Sequence, residues 1–243
     1  MNVIRVNEVG STNDYLAELV NRDNIEEFTV VVSDFQTAGK GQRGNKWESA
    51  CGKNLTFSMV VFPYTVLARE QFIISMIAST VICDVLSEYI NDVRIKWPND
   101  VYWKDRKICG MLIENDLEGM NVMRSIIGIG VNINQCEFRS DAPNPVSLFQ
   151  ILGSEIDRNE VLCKIVDELK IRFTDISIGG SANDIHERYL SSLYRKDKVC
   201  KYTDCNGEFM GKIVNVEKDG HLCILDEDDR VRRYIFKEVK FII

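Results

Sequence analysis

The chain has 243 residues, 45% of them hydrophobic and 28% charged, with 30 Lys and Arg against 37 Asp and Glu for a net charge of −7. This composition excludes a disordered chain, and the length allows one large domain plus a small one without metal or disulfide staples. An acidic balance argues against a general nucleic-acid binder, whose footprint is a basic patch or stripe. It leaves room for a local basic site that takes an anionic ligand.

The eight cysteines are dispersed, with no C-x-x-C pair, and the opening MNVIRVNEVG carries no secretory pattern. Both observations predict reduced thiols in a cytoplasmic protein. His186 and His221 are the only histidines, too few for a paired zinc site. Phe72–Cys83, the most apolar stretch, reads as too short and too polar to span a bilayer.

In chain order, Ser11-Thr12-Asn13-Asp14 precedes apolar Leu16, Leu19 and Val20, a capped helix start. Phe28–Phe35 is β-branched and reads as a buried strand. Gln36–Trp47 has three glycines and no periodicity, hence a loop. Asn54–Phe62 alternates as a strand, and Glu70–Tyr89 is a long helix, apolar on more than one face and so central. Short strands over Val93–Trp97 and Val101–Trp103 flank Pro98-Asn99-Asp100. Lys104-Asp105-Arg106 turns into a strand over Lys107–Ile113, and Val122–Ile133 is another apolar strand. Asp141–Pro145 is a loop, while Arg158–Thr174 and Asp184–Tyr194 have helical spacing. From Lys198 the chain breaks into strand-like pieces at Lys198–Tyr202, Phe209–Val216, Cys223–Leu225, Val231–Phe236 and Val239–Ile243. The turns between them predict a small β-barrel. The boundary falls near Lys196–Lys198, giving domains 1–196 and 197–243. The sequence has no internal repeat and no low-complexity tract.

Four segments carry chemistry. In Gln36–Trp47, Gly39, Gly41 and Gly44 let backbone N–H groups converge on an anion, and Lys40, Arg43 and Lys46 add charge. A solvated surface loop is the alternative. The spacing is neither a Walker loop nor a dinucleotide fingerprint. In Arg94–Gly110, Lys107 enters a buried strand and needs an anionic partner. A ligand phosphate or carboxylate would serve, as would Asp105 or a snorkelling stem. Asp100 reads as a Mg²⁺ ligand or a turn aspartate, and Asn99 as a reader of a base edge or the closure of an Asx turn. Gly128 and Gly130 mark close approach of a ligand or a bulge. Ser11-Thr12-Asn13, taken alone, reads as a helix cap.

Together, in this order and spacing, Ser11-Thr12-Asn13, Gln36–Trp47, Lys96-Trp97-Pro98-Asn99-Asp100, Asp105–Gly110 and Gly128–Asn132 resemble the biotin protein ligases, or biotin–acetyl-CoA-carboxylase ligases. The resemblance is dense from Ser11 to about Asn134. Some members carry an N-terminal winged helix that represses transcription. With Ser-Thr-Asn beginning at residue 11, the expectation is the monofunctional type, with no DNA partner and no membrane.

The resemblance implies an α/β (α+β) fold. A mixed-sheet catalytic domain like that of class II aminoacyl-tRNA synthetases and biotin ligases would precede an SH3-like barrel. It implies biotin and ATP as substrates with Mg²⁺, activation to biotinyl-5′-AMP, and transfer to a lysine of a biotin carboxyl carrier protein. Monomer and homodimer both stay open. By matched position, Ser11, Thr12, Asn13 and Gln36 should bind the ureido head of biotin. Gly39, Lys40, Gly41, Gln42 and Arg43 should wrap the carboxylate and phosphate, with Lys107, Lys40 and Arg43 as the catalytic cations. Trp47 should form an aromatic wall, and Gly110, Leu112, Gly128 and Gly130 the slot for the bicyclic ring and its tail. Arg43, Asn99 and Asn132 should face the adenylate, and Asp100 the magnesium.

One departure stands out. The family pattern Gly-Arg-Gly-Arg-x-Gly is here Gly39-Lys40-Gly41-Gln42-Arg43-Gly44. Lys40 loses the bidentate fork and Gln42 loses the charge, so this loop should hold an adenylate less tightly than a two-arginine loop. Lipoate ligases and octanoyltransferases share the implied fold, but their Arg-Arg-x-Ser-Gly-Gly-Gly stretch is missing. A biotin-sensing regulator or a barrel-based adaptor would leave Lys107, Asp100 and the Gln36–Trp47 chemistry unexplained.

Overall fold

A computed structural model of the chain describes residues 2–139 and 144–243; of Arg43 it describes the backbone alone. The expected Asp141–Pro145 loop thus lies largely outside the described residues, as does the role expected of the Arg43 side chain.

Seven strands form a mixed sheet. They are β1 (Val3–Val9), β2 (Val30–Gln36), β3 (Leu55–Val61), β4 (Val93–Lys96), β5 (Asp100–Trp103), β6 (Arg106–Glu118) and β7 (Asn121–Val131), in the order β1-β2-β3-β7-β6-β5-β4. Only β1 and β2 run parallel; the other pairs are antiparallel. The helices are α1 (Thr12–Arg22), α2 (Phe72–Ser87), α3 (Leu148–Leu152), α4 (Arg158–Ser177) and α5 (Ala182–Ser191).

Strand alternation divides the labour of the two faces. Leu55, Phe57, Met59 and Val61 of β3 and Ile127, Ile129 and Val131 of β7 join one core with α2 and α4. A fully buried Phe or Leu here contributes about 1.5–3 kcal/mol. The opposite face carries a smaller cluster of Leu16, Val31, Val60 and Ile126, packed under α1. Beyond α1 that face becomes mostly polar or side-chain-free, in two cross-strand rows, Ser58–Gly128–Leu112 and Thr56–Gly130–Gly110, with Leu112 the one apolar side chain.

Ala68–Ser87, which contains α2, is long enough and apolar enough to cross a bilayer by length and composition, with a mean hydropathy of 1.4. This corrects the reading of the shorter Phe72–Cys83 stretch. The protein itself buries 67% of that window, so it serves as the core helix. Ser79 and Thr80 close their hydroxyls onto Ser75 O and Met76 O, both at 2.7 Å.

Five antiparallel strands complete the chain: β8 (Val199–Asp204), β9 (Gly207–Val216), β10 (Leu222–Asp226), β11 (Val231–Tyr234) and β12 (Lys240–Phe241), in the order β11-β10-β9-β8-β12. This small sheet docks on the larger one around Trp97. The Trp97 indole donates to Gly220 O at 2.9 Å, and its ring meets Phe236 edge-on at 6.1 Å. The eight cysteines are unpaired, and Cys83, Cys109 and Cys223 are buried.

The expected elements recur with shifted ends, and β1 and α3 are additional. β1 lacks a clean alternation, with apolar Val3, Ile4, Val6 and Val9 around exposed Arg5, Asn7 and Glu8, and it forms by parallel pairing with β2. The strand expected over Lys107–Ile113 starts at Arg106 and runs on to Glu118, because its outer half needs only β7 as a partner. The helix expected over Asp184–Tyr194 is Ala182–Ser191, capped by Ser181, whose hydroxyl accepts from Asp184 N.

Candidate active site

A cleft opens on the glycine face of the large sheet, between α1, the Gln36–Trp47 loop and the Pro98–Asp100 turn. It gathers Ser11, Thr12, Asn13, Gln36, Lys40, Gly41, Gln42, Trp47, Asn99, Asp100, Lys107, Gly110, Leu112, Gly128 and Gly130. Nearly every residue singled out from the sequence therefore meets at one place. Among the described residues, Gly39 and Asn132 do not line it. Gly39 is buried within the loop, where a Cβ would lie 2.7 Å from Trp47 O. Asn132 is 2% exposed and spends its amide on Val146 O (3.1 Å) and Lys107 O (3.5 Å). It braces the strand that carries Lys107.

The end near α1 is a network of hydrogen bonds. Ser11 holds the N-cap position but its side chain makes no cap bond, so capping does not explain Ser11-Thr12-Asn13. Asn13 Nδ2 donates to Leu112 O (3.2 Å) and Glu114 Oε2 (2.6 Å), while its Oδ1 accepts from Ser58 Oγ (2.5 Å). Gln36 Oε1 accepts from Thr12 N (2.8 Å) and Thr12 Oγ1 (3.1 Å). Both Nδ2 hydrogens of Asn13 are thus used, which leaves an Oδ1 lone pair, whereas Gln36 keeps its Nε2 donors. An acceptor beside a donor complements a planar group bearing both N–H and C=O.

Ser58 and Glu114 did not stand out in the sequence, since a serine in an apolar strand and an acid in a hairpin are ordinary. Leu112 O and Glu114, which can only accept, fix the polarity of Asn13, and the fully buried Ser58 hydroxyl joins Asn13 Oδ1 (2.5 Å) to Thr12 Oγ1 (2.7 Å). Ser58→Ala should weaken binding of the ligand head about tenfold, near 1.4 kcal/mol, with little change in melting temperature. Titration calorimetry with biotin measures this.

The glycines make room. Register runs unbroken through Gly128 and Gly130, and the only shift in that strand pair lies at Asp116/Leu117, so they are not a bulge. A Cβ on Gly128 would lie 2.2 Å from Asn13 Oδ1, and one on Gly130 2.3 Å from Trp47 Cε2. The Trp47 ring therefore lies on the Gly110–Gly130 shelf, its indole nitrogen buried without a partner.

A bulge does operate on the other side of β6. The β5–β6 register shifts at Val101/Tyr102, which re-aims Lys107 until its Nζ stands where a Cβ on Gly110 would be 3.0 Å away. Lys107 Nζ pairs with Asp100 at 2.8 Å and lies 5.8 Å from the Trp47 ring centre. The partner is Asp100 rather than the neighbouring Asp105, whose carboxylate accepts from the Tyr194 hydroxyl. Lys96, paired with Asp100 across the β4–β5 strands, packs over the rings of Tyr102 and Phe241. Burial holds its pKa below the usual lysine value, against the pull of Asp100.

Two side chains tie the loop across the cleft. Lys40 Nζ meets Asp14 at 2.7 Å, and Gln42 Nε2 donates to Asn99 Oδ1 at 2.9 Å. The Asp14 hydrogen bond raises the pKa of Lys40. Phe236, from the small sheet, reaches the cleft wall, and no local pattern in the sequence pointed to it. Asp100 is the one carboxylate among the described lining residues; it already pairs with Lys107, so a Mg²⁺ there would have to share it with that ammonium and draw its other ligands from substrate phosphates and water. Elsewhere Glu217, Asp219 and His221 cluster, but Arg233 already clamps Glu217 through both carboxylate oxygens and opposes a cation there.

Residues 6–132 match the Biotin/lipoate A/B protein ligase family. This chain belongs to that family. Similar members include the bifunctional ligase/repressor BirA of Bacillus subtilis, 28% identical over 96% of this chain and 71% of its own length. Another is the biotin–[acetyl-CoA-carboxylase] ligase of Mycobacterium tuberculosis, 28% identical over 69% of this chain and 62% of its own length. The biotin protein ligase of Aquifex aeolicus, solved with biotin and ATP, superposes with a TM-score of 0.79 at 27% identity, covering 99% of both chains. A Leishmania major biotin protein ligase shares the fold, with a TM-score of 0.67 at 22% identity. The mixed sheet followed by an antiparallel barrel-like unit is the architecture the family resemblance implied.

Proposed function

We propose that this ligase-family member activates biotin with ATP to biotinyl-5′-AMP and transfers the biotinyl group to one lysine of a biotin carboxyl carrier protein in the cytoplasm. The observation that carries this reading is the hydrogen-bond polarity at one end of the cleft, Asn13 Oδ1 accepting and Gln36 Nε2 donating. Lys107 waits at the far end of the same glycine shelf. A cyclic urea offers the complementary N–H and C=O, and the shelf beyond it suits an apolar ring and tail that end in a carboxylate at Lys107.

In the first step a biotin carboxylate oxygen bonds to the α-phosphorus and the bond to the leaving pyrophosphate breaks. Two anions must approach, so the Lys107 ammonium and the N–H groups of the Gly39–Gly44 loop serve to offset their repulsion. Asp100 would be the carboxylate to hold a Mg²⁺ arriving with the nucleotide, and that ion would supply neutralisation of phosphate charge. In the second step the carrier amine attacks the acyl carbon, loses a proton and expels AMP. The loop shelters the mixed anhydride from water until then. Residues 1–196 act as the catalytic domain and 197–243 as a barrel that braces Trp97.

Intact-mass analysis of a biotin carrier domain incubated with the protein, biotin and Mg-ATP tests the reading. A gain of one biotinyl group, with none from lipoate or octanoate, supports it; an unmodified carrier refutes it.

A further inference from the structure

The loop over the cleft closes on itself through Gly41 N to Asn45 O (2.7 Å) and Trp47 N to Gly39 O (3.0 Å), and two side chains then tie it down at opposite ends. These ties differ in kind. Lys40 and Asp14 are each about half exposed, at 48% and 50%, so their ion pair is weak and fades with salt. Gln42 instead donates to Asn99, which is 2% exposed. A bond between two neutral amides is not screened. Its anchor is firm as well: Pro98 O accepts from Tyr189 at 2.7 Å and Asp100 pairs with Lys107 at 2.8 Å, so both neighbours of Asn99 are fixed.

We infer that Gln42 is a positioning residue that holds the glycine-rich loop down on the nucleotide end of the cleft through Asn99. Closure of the loop over the acyl-adenylate at residue 42 then depends on a neutral amide bond and not on a charged side chain at that position. The inference rests on the ligase reading and deepens it. Asn99 accepts through Oδ1 and keeps its Nδ2 hydrogens as donors, so closing the loop and meeting a ligand do not compete for the same atoms. An arginine at residue 42 would instead be drawn to the phosphate, with a strength that falls as salt rises. The loss of charge at this position is therefore a change in how the loop is held as well as a weakening.

The full-length protein is loaded with labelled biotin and Mg-ATP in the presence of pyrophosphatase, freed of excess substrate, and followed for release of biotinyl-adenylate at 50 and 500 mM NaCl. Wild type should change its release rate less than about twofold between the two salts. Gln42→Met keeps the length of the side chain and loses the donor, and should release about tenfold faster at both salts. Gln42→Arg should release slowly at low salt and at least about fivefold faster at high salt, a slope that a merely structural role for residue 42 would not produce. Release from Gln42→Met at the wild-type rate, or a wild-type rate that climbs about tenfold with salt, overturns the latch. A wild-type protein that forms no biotinyl-adenylate overturns the ligase reading and the latch with it.

Discussion

Lys107→Ala should abolish most adenylate formation while leaving the fold in place. The backbone at this position is fixed by neighbours independent of the side chain: Lys107 N donates to Asn144 O at 2.8 Å, and Val146 N donates to Lys107 O at 2.9 Å. The ammonium is partly exposed, at 24%, as is its partner Asp100 at 29%. Water can therefore take over the solvation of Asp100, and breaking the pair should cost no more than about 1 kcal/mol, a shift of about 2–4 °C in melting temperature.

Its effect on the reaction is much larger. Removing one preorganised donor from developing charge costs roughly 10²–10³ in rate, and biotin-dependent release of pyrophosphate from ATP should fall by that factor. Lys107→Arg should not restore it. The ammonium occupies space left by the missing side chain of Gly110, and a planar guanidinium is wider than the group it replaces. Near-normal pyrophosphate release from Lys107→Ala would show that the charge is offset elsewhere.

Much of this site was legible from residue types and spacing, because the decisive constraints are backbone constraints. Glycines at 128 and 130 announce close approach in any strand, and the structure supplies the groups that approach, Asn13 and Trp47. A lysine entering an apolar strand demands a counter-charge, but not which one. Asp105 is nearer in sequence, yet Asp100 is the partner, beside the β5–β6 register shift, and Asp105 accepts from Tyr194 instead. Ser58 and Phe236 were illegible for different reasons. Ser58 acts by sharing its proton with an element far away in the chain, and Phe236 acts by reaching across from a different sheet. Asn132 differs from these: its amide nitrogen braces the Lys107 and Val146 carbonyls, while its Oδ1 is buried without a partner.

Gly128→Ala should weaken biotin binding about 100-fold or more, the largest binding loss expected of any methyl group added to this protein. The new Cβ would stand 2.2 Å from Asn13 Oδ1 and 2.9 Å from its Cγ. Asn13 cannot yield without loss, because it bonds to Leu112, Glu114 and Ser58 at once. Displacing it breaks all of these and removes the acceptor that faces the ligand. Gly130→Ala should act by another route. Its Cβ would lie 2.3 Å from Trp47 Cε2, and the indole makes no hydrogen bond that holds it, so the ring swings off the shelf. That relief should cost about 1–3 kcal/mol as overpacking and leave the loop less closed. Gly10→Ala is the control, since a Cβ there meets nothing within 4 Å. Titration calorimetry with biotin on the three variants separates the possibilities. If Gly128→Ala binds as tightly as Gly10→Ala, the head of the ligand does not sit against Asn13. If Gly128→Ala alone loses binding, the Ser58–Asn13–Glu114 network, rather than the aromatic wall, is what reads the vitamin.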